Sequence, residues 1–234
     1  MRKINILIAC EESQTVCKEF RKLGFNAFSC DVIECSGGHD EWHIQQDVLP
    51  LLDGNCYFIT CGGEEHYIDR WDLIVAHPPC TFLCMSGQQW CNIEKYGENA
   101  VERLKEQEKA LEFVKKIYNC SCEHIAIENP VGVLTRRFIK PTQYIRPCEF
   151  GHPTGKRTGL WLKNLPLLNP TNNVEIQYHT SKTGKKWDLW FWQSSMIRDL
   201  KERSKFRSKT FEGIANAMAN QWGEYLFKEL KEYE

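Results

Sequence analysis

The apolar patterning of this sequence predicts an α/β protein built on a mostly parallel, doubly wound sheet with helices on both faces. Short apolar runs at Ile4–Ala9, Ala27–Cys30, Trp71–Ala76 and Ile125–Ile127 read as buried strands, with His43–Asp47 a weaker one. Helical stripes alternate with them: Val16, Phe20 and Leu23 closed by Gly24, then Leu104, Leu111, Val114 and Ile117 within Asn99–Tyr118. Each strand also stops abruptly at polar residues or proline, as strands do where their carboxyl ends carry a site.

The first run, its loop Cys10–Thr15 and the first stripe make a strand, loop and helix, and Ala27–Cys30 completes a βαβ opening. Cys56–Cys61, bounded by Gly54 and Gly62-Gly63, reads as an inserted extended segment. Pro78-Pro79 ends the Trp71–Ala76 strand because proline cannot continue a central ladder. From Gln143 to Trp192 the chain reads as strand-rich, including Trp187–Trp192, and Thr210–Leu230 reads as a helix packed back on the sheet. No internal repeat or long linker divides the chain. The expected organisation is one core domain, 1–168 with 209–234, carrying a small, basic, strand-rich appendage at 169–208.

With 234 residues, 42% hydrophobic and 26% charged, the chain can bury a substantial core, which excludes a stapled mini-protein and a disordered or fibrous chain. No apolar run approaches a membrane span, and the N-terminal apolar stretch is too short for a signal peptide. A cytoplasmic location without membrane partners is expected. Twelve cysteines in a reducing compartment are small hydrophobes or reagents rather than disulfides. Neither Cys120-Ser121-Cys122 nor Cys80, Cys84 and Cys91 has the paired spacing of a zinc site, so no metal is expected.

The net charge of −1 hides a strong partition. Residues 1–135 carry 12 basic against 21 acidic side chains, whereas residues 136–209 carry 16 against 5. A basic segment of this density suits a polyanion, with Lys201, Arg203, Lys205 and Arg207 its densest cluster. Trp161, Trp187, Trp190, Phe191 and Trp192 interleave with it and could stack on bases. Together these features point to a nucleic-acid partner.

The candidate site follows from the strand ends. After the successive strands come Cys10-Glu11-Glu12-Ser13, then Asp31, Asp47, His77-Pro78-Pro79-Cys80 and Glu128-Asn129-Pro130. A carboxylate after the second strand can accept both hydroxyls of a ribose, and one after the third can meet an adenine amine, so Asp31 and Asp47 point to a nucleoside-containing cofactor. Cys80 on a rigid turn and Glu128 on a neighbouring strand could converge on one ligand. A thiolate and an acid suit a pyrimidine: carbon 5 of cytosine takes a methyl group only after a nucleophile adds at carbon 6, and an acid on N3 and the exocyclic amine stabilises the adduct.

At these residues the sequence resembles the DNA cytosine-5 methyltransferases, through Asp72–Cys80, Ile127-Glu128-Asn129-Pro130 and Phe150–Arg157. It is similar over more of its length to small phage- and prophage-borne DNA methyltransferase-like proteins. That likeness runs through Ala76–Cys80, Ser86-Gly87, Phe150–Pro153, Leu160–Pro166 and Arg207–Trp222. The resemblance implies a Rossmann-like S-adenosylmethionine-dependent methyltransferase fold and a bacterial cytoplasmic setting. It implies Cys80 as nucleophile, Glu128 as base-binding acid, and Lys156 and Arg157 in place of two arginines that meet the base oxygen or a phosphate. It places S-adenosylmethionine at Cys10, Glu11, Glu12, Ser13, Asp31, Asp47, His77, Pro79 and Asn216. The family's long target-reading region is reduced here to about forty residues, Asn169–Ser208, which implies short or relaxed sequence choice on duplex or single-stranded DNA. Two other readings stay open: the same chemistry on a nucleotide or RNA, and a non-catalytic nucleic-acid-binding protein, which the glycine-free first loop would allow.

Overall fold

The computed structural model describes residues 2–232. In chain order the strands and helices are β1 (Asn5–Ala9), α1 (Thr15–Lys22), β2 (Asn26–Asp31), β3 (His43–Gln45), β4 (Cys56–Ile59), β5 (Glu65–Ile68), β6 (Leu73–Ala76), α2 (Ile93–Tyr96), α3 (Glu98–Asn119) and β7 (Ile125–Pro130). There follow α4 (Val133–Arg137), β8 (Gln143–Ile145), β9 (Thr158–Lys163), β10 (Tyr178–Thr180), β11 (Lys186–Asp188), α5 (Leu189–Met196), α6 (Leu200–Ser208) and α7 (Glu212–Glu232). Seven strands form the central sheet in the order β3-β2-β1-β6-β7-β9-β8. The pairs from β3 to β7 are parallel, while β9 runs antiparallel to both β7 and β8. This is the Rossmann-like fold of class I S-adenosylmethionine-dependent methyltransferases.

Strand periodicity explains why two layers of helix are needed. Leu7, Ala9, Phe28, Ile74 and Ile127 face one side, where Leu111, Val114 and Ile117 of α3 and the β4–β5 hairpin cover them. Ile6, Ile8, Ala27, Val75 and Ala126 face the other, against Val16 and Phe20 of α1 and Met218, Trp222 and Leu226 of α7. Trp161 is 1% exposed within the first layer, and its indole N–H donates to the Ile139 carbonyl at 2.9 Å, so it is a core residue rather than a surface for bases.

The expected strand at Trp187–Trp192 is cut short. Only Lys186–Asp188 is extended, and α5 begins at Leu189 because the Asp188 side chain accepts from the Trp190 N–H and caps the helix. Asp199 caps α6 in the same way through the N–H groups of Lys201 and Glu202. The segment 169–208 is thus a two-stranded hairpin followed by two helices, and the expectation of a strand-rich appendage is corrected accordingly. Among the described residues no helix is long and apolar enough to cross a membrane.

Candidate active site

The order of the sheet reverses at β1, which is flanked by β2 on one side and by β6 on the other. Ligands of open α/β sheets sit at such a switch, outside the carboxyl ends of the strands. A cavity of about 440 Å3 lies there, lined by Cys10, Asp31, Asp47, Pro79, Phe82 and Phe113, among others. Both acids stand at its wall, and burial pushes the Asp31 carboxyl above its ordinary value. Apolar walls with a few convergent polar groups suit a nucleoside-sized ligand. Phe82 and Phe113 escaped sequence reading because one follows the Cys80 turn and the other comes from a distant helix, and an apolar side chain carries no chemical mark of a ligand at either place.

The first loop needs no glycine. Cys10 and Gln14 themselves adopt left-handed backbone angles, with φ of 60° and 56°. That conformation costs a non-glycine residue roughly 1–2 kcal/mol, and a built polar network holds it. The fully buried Gln14 amide donates to Ser29 at 3.2 Å and to the His39 carbonyl at 2.8 Å, and its oxygen accepts from the His39 N–H at 3.1 Å. Glu11, expected beside the cofactor, instead turns under α1 and accepts from the N–H groups of Val16 and Cys17 at 2.7 and 3.2 Å. Glu12 faces Lys205 at 3.5 Å, and the Ser13 hydroxyl lies 3.1 Å from that of Thr15. Asn216 donates to Glu19 of α1 at 3.0 Å. None of these four lines the cavity, whereas Cys10, Asp31, Asp47 and Pro79 do.

A second cavity, also about 440 Å3, adjoins the first across Pro79 and Thr81, which line both. Its walls bring together Cys80, Glu128, Lys156 and Arg157 from three separate stretches of chain. The loop after β6 is held by its neighbours as well as by its own Leu83 and Cys84 N–H groups, which both donate to the Cys80 carbonyl at 3.0 Å. The Asn129 amide donates to the Pro78 carbonyl at 2.8 Å, Arg103 to that of Thr81 at 2.9 Å, and Gln107 to that of Phe82 at 2.8 Å. Gly132 completes the clamp, since any Cβ there would stand 2.0 Å from the Leu83 carbonyl oxygen.

His77 belongs to this second cavity and not to the first. Its Nδ1 lies 3.1 Å from Glu128 Oε2, with the ring only 8% exposed. Burial pushes the Glu128 carboxyl up, but the hydrogen bond and charge of His77, aided by Lys156, outweigh it and hold the group below its ordinary value. Burial likewise lowers His77, yet Glu128, with Glu11 beyond it, leaves the imidazole above its ordinary value. Both directions favour an imidazolium facing a carboxylate, in the cavity that also holds Cys80. Burial also raises the Cys80 thiol, reinforced by Cys84 and Glu128 and opposed by Lys156.

The far wall is the appendage. Leu200, Arg203, Ser204, Arg207 and Ser208 of α6 line the cavity, a spacing of three and four that marks a single helical face. Lys201 and Lys205 fall on another face. Trp190 and Phe191 of α5 add aromatic surface, with the Lys156 ammonium 5.2 Å from the Trp190 ring and donating to the Arg207 carbonyl at 2.7 Å. Arg157 stacks 3.7 Å over Tyr144.

One solved structure similar to this chain is that of a methyltransferase from Entamoeba histolytica, at 12% identity over 74% of this chain and 58% of that one, with a TM-score of 0.39. The chain therefore spans less than two thirds of that protein's length. No family model and no curated protein matches. Strand order, not this likeness, identifies the fold.

Proposed function

We propose that this protein is an S-adenosylmethionine-dependent methyltransferase acting on carbon 5 of cytosine in DNA. The observation that carries the reading is the adjacency of two cavities sharing Pro79 and Thr81, one walled by Asp31 and Asp47, the other by Cys80 and Glu128. The donor, when bound in the first cavity, supplies an electrophilic methyl group. Asp31 and Asp47 would hold its sugar and base, and Pro79 would separate it from the thiol. In the second cavity the Cys80 thiol would lose its proton to solvent water and add as thiolate to carbon 6 of the ring, while the His77–Glu128 pair gives a proton to N3 and the carboxylate accepts from the exocyclic amine. Once carbon 5 carries the methyl group, its proton would leave to a water molecule, the C5–C6 double bond re-forms as the S–C6 bond breaks and Cys80 departs as thiolate, and N3 returns its proton to the His77–Glu128 pair.

Arg203, Arg207 and Lys156 give the cavity a cationic rim, and Trp190 and Phe191 offer faces on which a flipped or single-stranded base could stack. This combination favours DNA over a free nucleotide. The test is covalent trapping on an oligonucleotide carrying 5-fluorocytosine in the presence of the donor. Cys80→Ser should abolish the trap while the circular dichroism spectrum and melting temperature stay unchanged. Trapping that survives the change, or that moves to Cys84, would remove Cys80 from the mechanism. A tritium-release assay on 5-labelled cytosine in DNA, RNA and nucleotide then ranks the substrates.

A further inference from the structure

The opposite end of the sheet carries a second cluster of chemistry. His124 immediately precedes β7 and Asp72 immediately precedes β6, so both stand at amino ends of strands, away from Cys80 and Glu128. There Glu123, His124 and Glu229 present one ligand atom each within 4.8 Å of one another. The His124 ring is 5% exposed, and its Nδ1 lies 3.0 Å from the Asp72 carbonyl oxygen. A carbonyl can only accept, so Nδ1 carries a hydrogen and Nε2 is the ring atom that faces the two carboxylates. That buried Nε2 has no hydrogen-bond partner, although Glu229 Oε2 is 3.0 Å away. A ring nitrogen and a carboxylate oxygen at this distance hold a positive charge in common, either a proton or a metal ion, and the third ligand atom close by on Glu123 favours the ion. Nitrogen and oxygen ligands about 2.0–2.2 Å from one cation lie roughly 3 Å apart. A ring N–H held by a backbone carbonyl, with the other nitrogen free, is how metal-binding histidines are oriented. Asp72 already holds Arg2 and Arg70, and among the described residues no lysine or arginine pairs with Glu123 or Glu229. A cavity of about 530 Å3 gives water and ions access.

We propose that Glu123, His124 and Glu229 form a divalent transition-metal site of the zinc type, with water completing the shell. It uses none of the twelve cysteines, so cysteine spacing could not reveal it. Glu229 comes from the last turns of α7, so the ion would bolt that helix to the foot of β7. Its role is structural and independent of the proposed methyl transfer. The test uses chelator-stripped full-length protein titrated with Zn2+ by calorimetry, with melting temperature read in parallel. One equivalent should bind and raise the melting temperature. Glu123→Gln alters an exposed side chain and should fold normally, yet lose at least tenfold in zinc affinity; Glu229→Gln should lose the thermal shift. Co2+ should show ligand-field bands without thiolate charge transfer. Absence of zinc binding, unchanged affinity in Glu123→Gln, or a thiolate band would each overturn the assignment. The first of these results would leave only a His124–Glu229 ion pair.

Discussion

The two cavities at the carboxyl edge are built by different means. The Asp31–Asp47 cavity is largely the product of strand ends: β1, β2 and β3 pair in parallel, and each delivers its next residues to the same edge. The Cys80–Glu128 cavity needs β6, β7, β9 and a wall of helices from much later in the chain. A strand end is placed by local hydrogen bonding and sheet register. A wall of distant helices is placed by the cooperative packing of the whole chain. The first should therefore tolerate change in the appendage, and the second should register it.

The largest test of this contrast is thiol reactivity. Because burial and the charge of Glu128 raise Cys80 above its ordinary 9.0, alkylation by iodoacetamide should quicken about tenfold per pH unit, with an inflection above that value. Glu128→Gln removes the opposing charge and should move the inflection down, whereas Lys156→Ala should move it up. Peptide mass spectrometry assigns the rate to Cys80. An inflection that ignores both changes would separate the thiol from the pair.

A smaller effect is expected at the basic face. Replacing Lys201, Arg203, Lys205 and Arg207 together by alanine should flatten the salt dependence of duplex binding, by roughly 0.9 logarithmic units for each phosphate no longer neutralised. All sequences should weaken alike. Arg203 and Arg207 should account for more of the weakening than Lys201, which is on another face of α6, while Lys205 faces Glu12. Equal contributions from all four would mean that the cavity face is not the DNA face.

The smallest expected change is in the donor cavity. Asp31→Ala and Asp47→Ala should each weaken S-adenosylmethionine by about tenfold or more, a hydrogen bond to a charged group contributing roughly 1.5–3 kcal/mol. DNA retention on a filter should remain as in the parent. Unchanged calorimetric donor affinity in both variants would remove the acids from the site.

Much of the fold was legible from residue order. Buried parallel strands are continuous apolar runs, so Ile4–Ala9 and Ile125–Ile127 announce themselves, and an acid or a proline at a strand end needs only local reading. The strand–helix boundary at Leu189 was missed because Trp187–Trp192 has the aromatic content of a strand, while the deciding feature is a single Asp188 side chain bonded to a nearby N–H. Glu11, Glu12 and Asn216 were assigned by motif position, but their side-chain partners depend on which way each points, and that is set by packing. The spacing 200, 203, 204, 207 and 208 was present in the sequence as a helical face, yet nothing local says what the face covers.

Sequence alone determined the alternation of strand and helix, the acids and thiol at strand ends, and the separation of charge into an acidic first half and a basic later segment. These follow from short-range rules: periodicity of burial, the geometry of proline and the identity of each ionisable group. Tertiary structure decided that His77 pairs with Glu128, that Pro79 and Thr81 join two cavities, that α6 walls one of them, and that Glu229 meets His124 from the far end of the chain. Such contacts join residues far apart in sequence, and their side-chain directions are settled only when both layers close on the sheet.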